Sequence, residues 1–119
     1  TYSSADTGAI AAYAGTGAPD PGSYGYEFTP TNVVASIAIA EIGDVEAPAA
    51  GDAAITITYA GQVGAAMGTE TLVLEPGSTT VTDGVPDAAL AAGAPIVWGC
   101  HTTGGDTTVF KYLPANCRF

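Results

Sequence analysis

A single histidine, His101, directly follows Cys100, and the only other cysteine, Cys117, comes seventeen positions after Cys100. A thiolate beside an imidazole is the pairing of nucleophilic cysteine chemistry, but a cysteine held in a disulfide cannot attack. An even pair of cysteines in a chain poor in lysine and rich in threonine and glycine points to an oxidising compartment and to a bridge. If bridged, the closed loop contributes about 3 kcal/mol on the loop-entropy estimate. Two cysteines and one adjacent histidine fall short of a structural zinc set. No earlier cysteine completes C-x-x-C-H, so c-type haem is not expected.

The carboxylates offer little more. Glu41, Asp44, Glu46 and Asp52 cross one loop with oxygen ligands suited to calcium. They lack the EF-hand pattern, and a solvated acidic turn is the expectation. The remaining acids are scattered through Gly- and Pro-rich turns, where no pair gains the burial and fixed separation that acid–base work needs. The stretch GTGAPDPG (15–22) lacks the G-K-[ST] ending of a phosphate loop. GAAMG (64–68) has G-x-x-x-G spacing without the apolar 20-mer of a membrane dimer motif. Thr102, Thr103, Thr107 and Thr108 lie on a Gly-rich loop where O-linked sugar would fit, though unmodified threonine is the default. No enzyme, cofactor or metal is expected.

Charge narrows the partners. Twelve acids against two bases give a net charge of -10 and a pI of about 4.1 across 119 residues. Such a surface repels phosphate, which argues against nucleic acid and against anionic lipid. No apolar run reaches the roughly 18 residues of a membrane helix, so no membrane contact of its own is expected. The chain begins at Thr1 without a basic-then-apolar leader, so a removed leader or a fragment is expected. Both bases, Lys111 and Arg118, fall in the tail VFKYLPANCRF (109–119).

Alternation supplies the scaffold. Residues 1–17 read as a short helix capped by Ser3, Ser4 or Asp6, with Ile10, Ala11 and Tyr13 on one face and Gly15 and Gly17 ending it. Residues 18–28 read as Pro/Gly-rich loop, with Tyr24, Tyr26 and Phe28 extended at its end. NVVASIAIAEI (32–42) reads as a strand with Val33, Ala35, Ile37 and Ile39 on one face. AAITITYAG (53–61) turns Ile55, Ile57 and Tyr59 inward, and TETLVLEPG (69–77) does so with Leu72 and Leu74 before a Pro76-Gly77 turn. PIVWGC (95–100) places Ile96, Trp98 and Cys100 together, and 87–93 could form one helical turn. Short turns between such runs predict an antiparallel meander.

From the fourth strand onward, IVWGC followed by KYLPANCR resembles the C-terminal end of type IV pilins. There a W-x-C strand precedes a loop closed by the cysteine of a K-Y-L-P-x-x-C-R tail. The matching positions are Trp98, Cys100, Lys111, Tyr112, Leu113, Pro114, Cys117 and Arg118. NVVASIAIA, ITITYAG and TETLVLEPG are similar to the successive headgroup strands, so the likeness spans about 31–119.

The resemblance implies an α+β or mainly β fold: a four-stranded antiparallel sheet with a short N-terminal helix and a C-terminal loop closed by Cys100–Cys117. It implies two parts, 1–30 as helix and loop and 31–119 as headgroup with the 100–117 disulfide loop. It implies export through the periplasm into an extracellular, cell-surface filament, where the headgroup packs on a helical stalk and the tail contributes subunit contacts. The apolar stalk helix of a complete pilin is missing from this sequence. A split pilin is therefore expected, with a short helical pilin subunit and other copies of the chain as partners. Lys111, Tyr112, Arg118, Phe119, Val33, Ile37 and Ile39 are the candidate contact residues. The alternatives are a fragment of an ordinary pilin, a pseudopilin or minor pilin, and a secreted adhesion or ligand-binding module on the same scaffold. The role of the filament, in motility, attachment, secretion or DNA uptake, is not readable here.

Overall fold

A computed structural model describes residues 9–119 apart from 20, 25, 45, 46, 69 and 92, and apart from the side chain of Asn116. A five-stranded antiparallel sheet forms its body. The elements are β1 (Val34–Ile39), β2 (Ile55–Tyr59), α1 (Gly61–Met67), β3 (Leu72–Thr82), β4 (Val85–Ala88) and β5 (Val97–Thr102). Two 3-10 helices follow, Thr107–Tyr112 and Ala115–Cys117. The mainly β class with a short helix and a C-terminal disulfide agrees with the sequence reading.

Cross-strand pairs show how the alternating apolar residues become one face. Ile57 lies between Ile37 and Leu72, and Ile55 between Ile39 and Leu74. Leu72 and Leu74 then face Thr102 and Cys100 on β5. Directly opposed residues of an antiparallel pair point to the same side, so these rows share a face. Val33 does not join it. A register shift between Val34 and Ser36 pairs Val34 with Tyr59, and the extra residue moves Val34 into the place that simple alternation gives Val33 or Ala35. Val33 is left before the strand, 51% exposed.

Two other expectations change. No turn occurs at Pro76-Gly77, because β3 runs through both to Thr82. Pairing with β2 stops at Leu74, so one edge of β3 is unpaired at Pro76, where a proline's missing N–H is tolerated. The turn instead falls at Asp83-Gly84, with φ of 51° and 79° between the paired Thr82 and Val85. Two positive φ values are the mark of the tight hairpin that Asp-Gly favours. This hairpin packs closely: a Cβ on Gly84 would meet the Cys100 carbonyl oxygen at 2.3 Å. At 87–93, Asp87 and Ala88 finish β4, and the described residues after them are not helical.

The expected N-terminal helix is the largest correction. Residues 1–8 lie outside the described residues, and 9–17 are extended. Tyr13 and Ile39 exchange backbone hydrogen bonds, as do Ile10 and Ile42, so this segment adds to the outer edge of β1. Gly15, at φ 117°, would press a Cβ to 3.0 Å from the Ser36 Cβ. Edge pairing has outweighed a weak helical pattern interrupted by glycine. The short helix stands at Gly61–Met67 instead. It has no side-chain N-cap, and at seven residues its stability comes from packing Met67 and Val63 on the sheet.

The core divides in two. Met67, Leu72, Cys100, Val109, Leu113 and Cys117 form one cluster, with Ile57, Tyr59, Val63, Leu74 and Phe110 against it. Ile10, Tyr13, Tyr24 and Ile42 form the second, with Phe28, Ile39 and Ala53. Ile37 and Ile55 belong to neither, and every residue of β1 and β2 is only half-buried.

Candidate assembly surfaces

The end of the C-terminal tail is fixed to β5. Cys100 and Cys117 are bridged, with their Cα atoms 4.6 Å apart. Asp106 opens the first 3-10 helix by accepting hydrogen bonds from the Thr108 hydroxyl and backbone N–H. Those bonds, the hydroxyl's first, hold the Asp106 carboxyl below its ordinary pKa. The Thr102 backbone N–H and hydroxyl both donate to the Phe119 carbonyl oxygen, each at 2.9 Å. That last contact occupies the outer edge of β5, which would otherwise be open to another strand.

Both cations are presented outward from this anchored tail. Lys111 and Tyr112 are exposed, with the Lys111 Nζ 5.2 Å from the Tyr112 ring centroid. Arg118 donates from Nε to the Leu113 carbonyl at 3.1 Å. Neither side chain meets a carboxylate of its own chain among the described residues. Phe119 (42% exposed) and Trp98 (54% exposed) line an open cleft of about 280 Å³ with Val81, Asp83, Gly84 and Cys100. Lys111 and Tyr112 thus stand at the end of the first 3-10 helix, and Arg118 and Phe119 follow the disulfide at the chain end beside β5. Val33, Ile37 and Ile39 lie elsewhere, on and before β1.

Glu41 follows β1 and Asp52 precedes β2. Both are close enough to Tyr24 to act on its hydroxyl: burial first, then Asp52 and Glu41, push its pKa up to about 12. The phenol donates to the Ala40 carbonyl oxygen. Glu75 joins the same corner, its Oε1 3.8 Å from the place a Cβ on Gly51 would occupy. Among the described residues, no three acids, cysteines or histidines converge as metal ligands. His101 is on β5 with Nδ1 3.1 Å from the Thr102 carbonyl oxygen, and its buried Nε2 has no partner.

A family model described as pilin, a bacterial filament protein, matches residues 4–118. The chain belongs to the pilin family. No characterised protein and no solved structure matched it. As a pilin it is a structural subunit of an extracellular pilus filament, without enzymatic activity, and it assembles with copies of itself. Among the described residues, no helix of this pilin is long and apolar enough to cross a membrane.

Sequence reasoning missed several parts of these surfaces. A turn at Pro76-Gly77, seven residues before the real one, leaves Val81, Asp83 and Gly84 without a role. The Asp-Gly pair between Val81 and Val85 carried the signal for the real one. Tyr13 and Tyr24 as core anchors had no comparable signal, since both sit in Gly/Pro-rich sequence. Glu75 reached the acidic corner only through strand register, which spacing along the chain does not reveal.

Proposed function

We propose that this pilin is the headgroup chain of a split pilin, completed in the filament by a helix from a separate, shorter subunit. The observation that supports this reading is the stripe of half-buried isoleucines on β1 and β2. Ile37 and Ile55 sit on the apolar face of the sheet yet join neither core cluster. β2 has strands on both sides, so its isoleucines can gain further burial only from a layer laid on the face. Large apolar patches left open on a monomer mark interaction sites, and an amphipathic helix is the element that covers a sheet face.

The described residues of the N-terminal part do not provide that layer. Ile10 and Tyr13 pair with Ile42 and Ile39 at the β1 edge, and Tyr24 and Phe28 belong to the second core cluster. A helix from another chain completes the fold as the α1 layer completes the β2–β3 end. Purified native filaments test this directly. The split reading expects two chain species, one of them short and beginning with an apolar helix. A single species carrying helix and headgroup in one polypeptide would refute it.

A further inference from the structure

We infer that the tail cations Lys111 and Arg118 of one copy seat against the acidic corner of the next copy, formed by Glu41, Asp52 and Glu75. The inference rests on self-assembly of the family and not on which chain supplies the helix.

Net charge makes the problem plain. Copies carrying -10 each repel one another when brought within the ~8–10 Å Debye length of physiological salt. The two cations are the only side chains that carry a formal positive charge against this repulsion. Both stand on a tail pinned by a disulfide and by the Phe119–Thr102 contact, so little freedom is lost when they are engaged. Neither has a carboxylate partner among the described residues. Tyr112 stands beside Lys111, and Phe119 follows Arg118 in the chain, exposed aromatics of the kind that, with arginine, dominate interface hot spots.

The acidic corner is complementary in position as well as in sign. Glu41 and Asp52 flank β1 and β2, while the tail closes on β5, across β3, which carries Glu75 opposite Gly99. A contact between two different patches is heterologous, and it propagates instead of closing on a pair. The acids do not converge on a single ion, a spacing suited to two separate cationic side chains.

Lys111 is the only lysine, which makes zero-length carbodiimide cross-linking of assembled filaments unusually clear to read. Filaments grown from a mixture of isotope-labelled and unlabelled headgroups should yield Lys111 amide-linked to Glu41, Asp52 or Glu75, with mixed labels showing two copies. Lys111 linked to Glu70, Asp83, Asp87 or Asp106, to an acid of its own copy, or to nothing would overturn the inference. A charge swap is the second arm. Lys111→Glu with Arg118→Glu should leave the isolated headgroup folded, with only the small loss of stability expected from the Arg118–Leu113 bond, and reduce filament yield at least tenfold. Adding Glu41→Lys and Asp52→Lys should restore most of the yield. Folded swap variants that stay unassembled would contradict the pairing.

Discussion

The two ends of this sheet are built from similar sequence and finished differently. At the β3–β5 end, Leu72 and Cys100 are buried beneath Met67, Val109, Leu113 and a disulfide, all from the same chain. At the β1–β2 end, isoleucines with equal need for burial are only partly buried, and the nearest cover is an edge segment anchored by two tyrosines. One end is complete by itself. The other has the apolar face of a core without its second layer, which is the form expected of a subunit whose final packing occurs on assembly.

Substitutions should expose that contrast. The largest effect falls at the finished end: Leu72→Ala should cost about 3 kcal/mol, within the 2–5 range of buried leucine truncations, by urea unfolding of the isolated headgroup. Replacing both cysteines by serine removes a loop constraint of about 3 kcal/mol and should release the tail to protease. Gly84→Ala forces a side chain into φ 79° and onto the Cys100 carbonyl, with an expected cost of about 2 kcal/mol from strain and lost packing. At the open end, Ile37→Ala should cost clearly less than Leu72→Ala in the isolated chain, because Ile37 is only partly buried and belongs to neither core cluster, yet weaken assembly strongly. If Ile37→Ala matched Leu72→Ala in the isolated chain, the contrast would collapse.

A pH titration sharpens the comparison from the second core. Tyr24 titrates near 12 when folded and near 10 when unfolded. Folding therefore favours the neutral phenol. Its contribution is complete below about pH 10 and drains away as pH rises from there through about 12. Tyr24→Phe should show a shallower alkaline fall in melting temperature than the unsubstituted chain. An identical fall in both would mean that burial and the neighbouring acids do not hold the Tyr24 phenol neutral in the folded chain.

Legibility in the sequence followed the same division. Strict alternation in 55–59 and 72–74 made β2 and the start of β3 readable, and the cysteines with the K-Y-L-P-x-x-C-R tail made the family readable. Boundaries that depend on tertiary contact were not. β3 runs through Pro76-Gly77 because β2 has already left that edge, and residues 9–17 extend because the β1 edge takes their hydrogen bonds. Val33 left the contact face through a single extra residue in β1, which a period-two reading cannot sense. The candidate contact residues thus separate into a tail group, whose end the disulfide holds to β5, and a β1 group placed by register.

Side-chain footprinting of the isolated headgroup and of intact filaments puts the central claim to its most direct test. Carbene labelling should modify Ile37 and Ile55 readily in the free chain and far less in filaments, while Leu72 and Val109 stay protected in both. Equal labelling of Ile37 and Ile55 in the two states would mean that no helix covers this face, and the account of an unfinished end would be wrong.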